Sequence, residues 1–209
     1  WQGDDATWSA SIAVEKFAAA STGFFLTGVA FADADGDGAY GVGEGRGGIP
    51  VAMPGATGPD VAGQSAGGSG GYALGIGAAQ GWSEVSLGDA ALRLRFSGEN
   101  AKLDHVETAS GVLEIRASVD LELVSGVGQA RLLGAGALSL SGTAGADRLA
   151  GNGGANEIAG GRGHDTLDGG GGDDALSGGA GHDSLRGGTG ADDLRGGAGR
   201  DRMEGGDGA

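Results

Sequence analysis

The chain has 209 residues, 51 of them glycine, no cysteine, and 13 basic against 28 acidic side chains, a formal charge of −15. Glycine at that level, against a usual ~7%, argues against an ordinary helical or α/β domain, and the lack of a Gly-X-Y period excludes collagen. No apolar run is long enough for a transmembrane helix, the absence of cysteine excludes disulfides and thiolate sites, and the acidic balance favours cations over nucleic acid as partners.

Trp1 in place of Met, and a last repeat that stops at Ala209, suggest a piece of a longer chain. Residues 1–23 carry the least information: SASIAVEKFAAASTG fits a strand or a short helix, and the segment reads as a linker or the tail of an upstream domain. Residues 24–108 read as short strands between glycine-rich turns: Phe24–Phe31, Ile49–Met53, Tyr72–Ile76, Trp82–Leu87, Leu92–Phe96 and Lys102–Val106. Leu92, Leu94 and Phe96 alternate with Arg93 and Arg95, the period of a half-buried strand. Six strands at this spacing predict a small antiparallel β-sandwich.

Between the first two strands, Asp33, Asp35 and Asp37 take positions 1, 3 and 5 of a twelve-residue loop. Gly38 takes position 6, Ala39 offers its carbonyl at 7 and Glu44 closes the loop at 12. This satisfies D-x-[DN]-x-[DN]-G-x₅-E, whose oxygens surround one calcium ion. The flanks are strand-like, so no helices are expected around it. The stretch TGVAFADADGDGAYGVGEGRGGIPV, followed by SAGGSGGYALGI, resembles the calcium-loop sandwich repeats of bacterial surface proteins, the SdrD B-like or Cna B-like group. In those domains the loop staples two strands. The alternative is a solvated acidic turn. Residues 1–23 faintly resemble the closing strand of a CAP-type domain, without that family's diagnostic motifs.

Leu113, Ile115, Ala117, Val119, Leu121 and Leu123 alternate with polar residues, predicting one long strand. With Ala130–Leu133 and Ala137–Leu140 it is expected to cap the open N-terminal end of the repeats that follow, within a capping segment at 109–141.

From Gly142 the chain repeats every nine residues through seven copies, among them GGRGHDTLD, GGAGHDSLR and GGTGADDLR. Position 8 is always apolar: Leu149, Ile158, Leu167, Leu176, Leu185, Leu194 and Met203. Position 6 is Asp147, Asp165, Asp174, Asp183, Asp192 or Asp201, with Asn156 the exception. Glycines at positions 1, 2 and 4 permit positive φ, and a three-residue strand comes after them with its middle side chain inward. One large apolar side chain per nine residues is a thin core against the entropy of ordering the chain, and stacked turns bring like charges together. A hard divalent cation between turns solves both problems, so folding and binding are expected to be one event. Without calcium the expected state is an acidic, glycine-rich disordered tail.

These repeats closely resemble the RTX family of calcium-binding nonapeptides. The resemblance implies a right-handed parallel β-roll with two nonads per coil, so the overall expectation is an all-β chain: a sandwich, a cap, then a roll over 142–209. Repeats alternate between two edges, with Asp147, Asp165, Asp183 and Asp201 on one and Asn156, Asp174 and Asp192 on the other. Ions between neighbouring turns would take the Asp carboxylates and the carbonyls of Gly161, Gly163, Gly170, Gly172, Gly179, Gly181, Gly188 and Gly190. Four turns and three turns give 4 − 1 = 3 and 3 − 1 = 2 intervals, hence up to five ions in the roll and one in the sandwich loop. The interval beside Asn156 is expected to be the weakest.

No catalytic constellation is legible. Gly67-Gly68-Ser69-Gly70-Gly71 matches G-x-S-x-G but lies in a flexible loop with no helical pattern after it. His164 and His182 share position 5 and should stack as an exposed column, a transition-metal pair being the alternative; His105 reads as structural. There is no HExxH, and no GxG opens a helix in a βαβ unit.

The RTX resemblance implies a non-catalytic calcium-binding module of a secreted bacterial protein, extracellular or on the cell surface. It also implies type I secretion machinery as a partner, through which such rolls leave the cell unfolded. Two alternatives stay open: the C-terminal part of a secreted hydrolase or epimerase with its catalytic domain elsewhere, and an adhesin or surface-layer stalk.

Overall fold

The structure, a computed structural model, describes residues 24–34, 45–46, 49–53, 64–65, 71–77 and 80–208. These residues form strands and no helix, and therefore no helix long and apolar enough to cross a membrane. The first seven strands are β1 (Phe24–Ala32), β2 (Pro50–Ala52), β3 (Gln64–Ser65), β4 (Gly71–Gly77), β5 (Gln80–Leu87), β6 (Ala90–Ser97) and β7 (Ala101–Glu107). Next come β8 (Leu113–Ala117), β9 (Asp120–Ser125), β10 (Gln129–Leu132) and β11 (Ser139–Ser141). The nonapeptides contribute β12 (Arg148–Ala150), β13 (Glu157–Arg162), β14 (Thr166–Gly171), β15 (Ala175–Ala180), β16 (Ser184–Thr189), β17 (Asp193–Ala198) and β18 (Arg202–Asp207).

Two sheets run the length of the described chain, in the orders β18-β16-β14-β12-β10-β8-β7-β1-β4 and β17-β15-β13-β11-β9-β6-β5-β2-β3. From β8 onward successive strands alternate between the sheets and pair in parallel with the strand one coil away. This is a parallel β-solenoid. In the repeats each coil is 18 residues, as Leu149 pairs with Leu167 and Leu167 with Leu185.

Coiling begins before the first repeat, but unevenly. Ile115 pairs with Ala130, 130 − 115 = 15 residues on, and Ala130 with Leu149, 149 − 130 = 19 residues on. The expected single strand over 113–123 is two strands in different sheets, bent at Ser118–Val119. Its period of two survives the bend because both sheets face one core: Ile115, Ala117, Val119, Leu121 and Leu123 are all buried.

The strands β13 to β18 are six residues long rather than three. Pairing resumes past the first glycine of each turn, as in Gly170↔Gly188 and Gly171↔Thr189 after Asp168↔Arg186.

The N-terminal strands extend the same two sheets. In β6, Leu92, Leu94 and Phe96 are buried while Arg93 and Arg95 face outward to Glu122 (2.7 Å) and Asp120 (3.7 Å) across the β6–β9 pairing. Pairing there is mostly antiparallel, but β1 and β7 run parallel. Parallel partners need a crossover, and the chain between β1 and β7 makes one by passing through the other sheet. A single buried cluster runs from Leu26 through Leu121 and Leu140 to Leu185, so the core of the N-terminal strands continues into the repeats.

Candidate metal centre

In each full repeat from Gly160 onward, the first six residues end one strand at positions 1 to 3 and turn the chain to the other sheet at positions 4 to 6. The 18-residue register stacks these turns along two edges. Asp147, Asp165, Asp183 and Asp201 form a ladder on one edge: the N–H of Asp147 donates to Asp165 Oδ1 (2.9 Å), that of Asp165 to Asp183 Oδ1 (2.9 Å) and that of Asp183 to Asp201 Oδ1 (3.0 Å). On the other edge the N–H of Asn156 donates to Asp174 Oδ1 (2.7 Å) and that of Asp174 to Asp192 Oδ1 (2.9 Å). One carboxylate oxygen of each acceptor Asp is thus committed to the preceding coil.

The other oxygen faces its own turn. Asp165 Oδ2, Asp174 Oδ2, Asp183 Oδ2 and Asp192 Oδ2 are buried and have no hydrogen-bond partner. Native proteins rarely leave such atoms unsatisfied. Burial is the main force pushing the Asp165 and Asp174 carboxyls above the ordinary carboxylate range. The hydrogen bond from the preceding coil opposes it, and neighbouring carboxylates, Asp147 and Asp183 for Asp165 and Asp192 foremost for Asp174, add to it.

The glycines shape this space in two ways. At positions 2 and 4 the backbone has positive φ, +106° at Gly161 and +114° at Gly163, which L side chains rarely adopt. Position 1 does not, contrary to expectation; there glycine is needed for room. A Cβ on Gly160 would lie 2.8 Å from Gly178 O and closer still to Asp165 Oδ2. Gly169, Gly178 and Gly187 repeat this arrangement with Asp174, Asp183 and Asp192 and with the position-1 carbonyl of the next coil. Each cradle therefore pairs an orphaned carboxylate oxygen with a main-chain carbonyl oxygen. Hard oxygen donors of this kind fit Ca²⁺. Among the described residues no group of three or more His, Cys, Asp or Glu side chains could hold a metal, so carbonyls must supply most of any ligand set.

The sequence-predicted carbonyl donors Gly161, Gly163, Gly170, Gly172, Gly179, Gly181, Gly188 and Gly190 all lie in these turns at positive φ. Of the predicted ligands in the N-terminal loop only Asp33 is described: it is buried just after β1, and its N–H donates to Glu107 O (2.8 Å). Asp35, Asp37, Ala39 and Glu44 lie outside the described residues, as do Gly67–Gly70. His164 and His182 stack with centroids 5.1 Å apart and planes 5° from parallel. The N–H of His182 donates to His164 Nδ1 and that of Arg200 to His182 Nδ1, both at 2.8 Å. Asp173 plays the same part on the other edge by accepting from Ala191 N–H (2.8 Å).

The family model described as the RTX calcium-binding nonapeptide repeat (4 copies) matches residues 141–176 and again 177–209. Residues 141–209 carry RTX calcium-binding repeats. Among curated proteins and among solved structures, nothing matches the chain. The RTX repeat is a structural calcium-binding module.

Two features are not evident from sequence reasoning. One is position 1 as a cradle: the signal is an invariant glycine, but conformational freedom is the wrong reason for it. The other is the hydrogen bonding at position 5: the stacked column of His164 and His182 is expected, but not that their Nδ1 atoms, and Asp173 Oδ1 on the other edge, accept from backbone N–H groups of the next coil.

Proposed function

We propose that the RTX turns of Asp165, Asp174, Asp183 and Asp192 each hold a calcium ion and that these turns fold as the ion binds. The observation that carries this reading is the set of four orphaned carboxylate oxygens, each beside a carbonyl in a space that a methyl group would fill. Ionised carboxylates there meet a desolvation cost and the repulsion of the next coil; a divalent cation offsets both. Four such oxygens favour about one ion fewer than the five intervals of the register. A further site, local to Asp33, Asp35, Asp37, Ala39 and Glu44, rests on its loop motif.

In a secreted protein exported through type I machinery, this chemistry makes calcium outside the cell the trigger for folding. The self-repelling, cysteine-free repeats stay extended where calcium is scarce. The N-terminal strands then belong to an SdrD B-like or Cna B-like sandwich stapled by its own ion.

Far-UV circular dichroism of the whole chain, titrated with calcium from excess chelator, tests the reading. A cooperative gain of β signal is expected. Identical spectra in both conditions would refute it.

A further inference from the structure

The first turn on each edge has the length of the repeat but not its chemistry. Thr143 and Asn152 occupy position 2, where each later full repeat has a glycine at positive φ. Among the described residues no non-glycine residue has positive φ, and Gly145 and Gly154, at position 4 of the same two turns, lack it as well. These two turns therefore take a different backbone path.

That path brings protein donors to the oxygen that is orphaned further on. The N–H of Thr143 donates to Asp147 Oδ2 (2.5 Å), and its hydroxyl donates to the same oxygen (3.0 Å). On the other edge the N–H of Asn152 donates to Asn156 Oδ1 (2.8 Å). The position-2 side chains also accept from position 4: Gly145 N–H donates to Thr143 Oγ1 (3.0 Å) and Gly154 N–H to Asn152 Oδ1 (2.8 Å). The amides of Asn152 and Asn156 reach back to Leu133 O (3.2 Å) and Gly136 O (3.4 Å), tying the second turn to the preceding coil. Asn156 in place of Asp also removes one charge from its edge.

We infer that the first coil of the roll folds without calcium, Thr143, Asn152 and Asn156 making the bonds that the ion makes further on, and that it templates the calcium-dependent coils. This rests on the calcium reading of the later turns. The first coil shares the continuous core through Leu140, Leu149 and Ile158. It presents two fixed backbone donors, Asp147 N–H and Asn156 N–H, to Oδ1 of Asp165 and Asp174. The edges of β12 and β13 stand ready for β14 and β15. Loop closure is thereby reduced to adding one turn at a time to a preformed end, and the roll grows from its N-terminal end as each turn captures an ion.

Hydrogen–deuterium exchange of the whole chain, in excess EGTA and in calcium, tests this. Residues 143–158 are expected to stay protected in both, and 163–207 only in calcium, with a contrast of at least about tenfold in EGTA. If 143–158 exchange as fast as 163–207 in EGTA while calcium protects both, the inference is overturned and the calcium reading stands. Equal protection of the whole roll with and without calcium overturns both. The double variant Asn152→Gly, Asn156→Asp converts the second turn to the later pattern. It should lose protection at 152–158 in EGTA, recover it in calcium and bind one more ion than its parent; protection retained in EGTA would show that these side chains do not hold the turn.

Discussion

The backbone N–H of Asp165 donates to the carboxylate of Asp183 at 2.9 Å, one coil further along the roll. The same carboxylate turns its second, orphaned oxygen into its own turn. Asp165, Asp174, Asp183 and Asp192 thus each join two coils with one oxygen and hold the other, orphaned, in their own turn.

Asp183→Ala removes both functions and leaves the buried N–H of Asp165 without an acceptor, a loss of about 1–3 kcal/mol. Asp147→Ala removes a carboxylate whose hydrogen bonds run to Thr143 within its own turn. The calcium midpoint of the circular dichroism transition should rise roughly tenfold for Asp183→Ala and clearly less for Asp147→Ala. Equal shifts would contradict the ladder.

Position 1 can be tested by adding one methyl group. A Cβ on Gly178 would lie 2.6 Å from Gly196 O and closer to Asp183 Oδ2, whereas one on Gly205 meets nothing within 4 Å. Neither residue has positive φ, so backbone strain does not confuse the comparison. Gly178→Ala should lower calcium stoichiometry by one in calorimetry, and Gly205→Ala should leave it unchanged. A Gly178→Ala protein with full stoichiometry would show that the cradle is not the site.

The inward column has its own gradient. Leu167 is fully buried between Leu149 and Leu185, whereas Met203 is 52% exposed. Leu167→Ala should destabilise the calcium-loaded roll by ~2–5 kcal/mol, and Met203→Ala by under about 0.5 kcal/mol, measured by denaturant unfolding in calcium.

The repeats are legible in the sequence because one apolar side chain, one Asp and fixed glycines recur every nine residues. The β6 strand is legible from Leu92, Leu94 and Phe96 against two arginines. The coils at 113–141 are not, because 15- and 19-residue spacings break the period and the bend at Ser118 leaves alternation intact. Thr143 and Asn152 occupy glycine positions in an otherwise regular register, and only their hydrogen bonds reveal what they replace.

His105 offers a pH test away from the turns. Burial pushes its imidazole below the ordinary value of 6.5, against raising effects from its own backbone hydrogen bond and from Glu107. The folded state thus favours the neutral ring, so its stabilising contribution is present above about pH 6.5 and falls as pH drops below that value. NMR titration of the folded chain in calcium should find His105 titrating below 6.5; a midpoint at or above that value would contradict the burial of the ring.

An anomalous difference map from crystals of the chain grown in calcium locates the ions. Peaks should stand beside Oδ2 of Asp165, Asp174, Asp183 and Asp192, with none in the turns of Thr143–Asp147 and Asn152–Asn156. Peaks in those first turns, or none beside the four orphaned oxygens, would contradict the assignment of calcium to these turns.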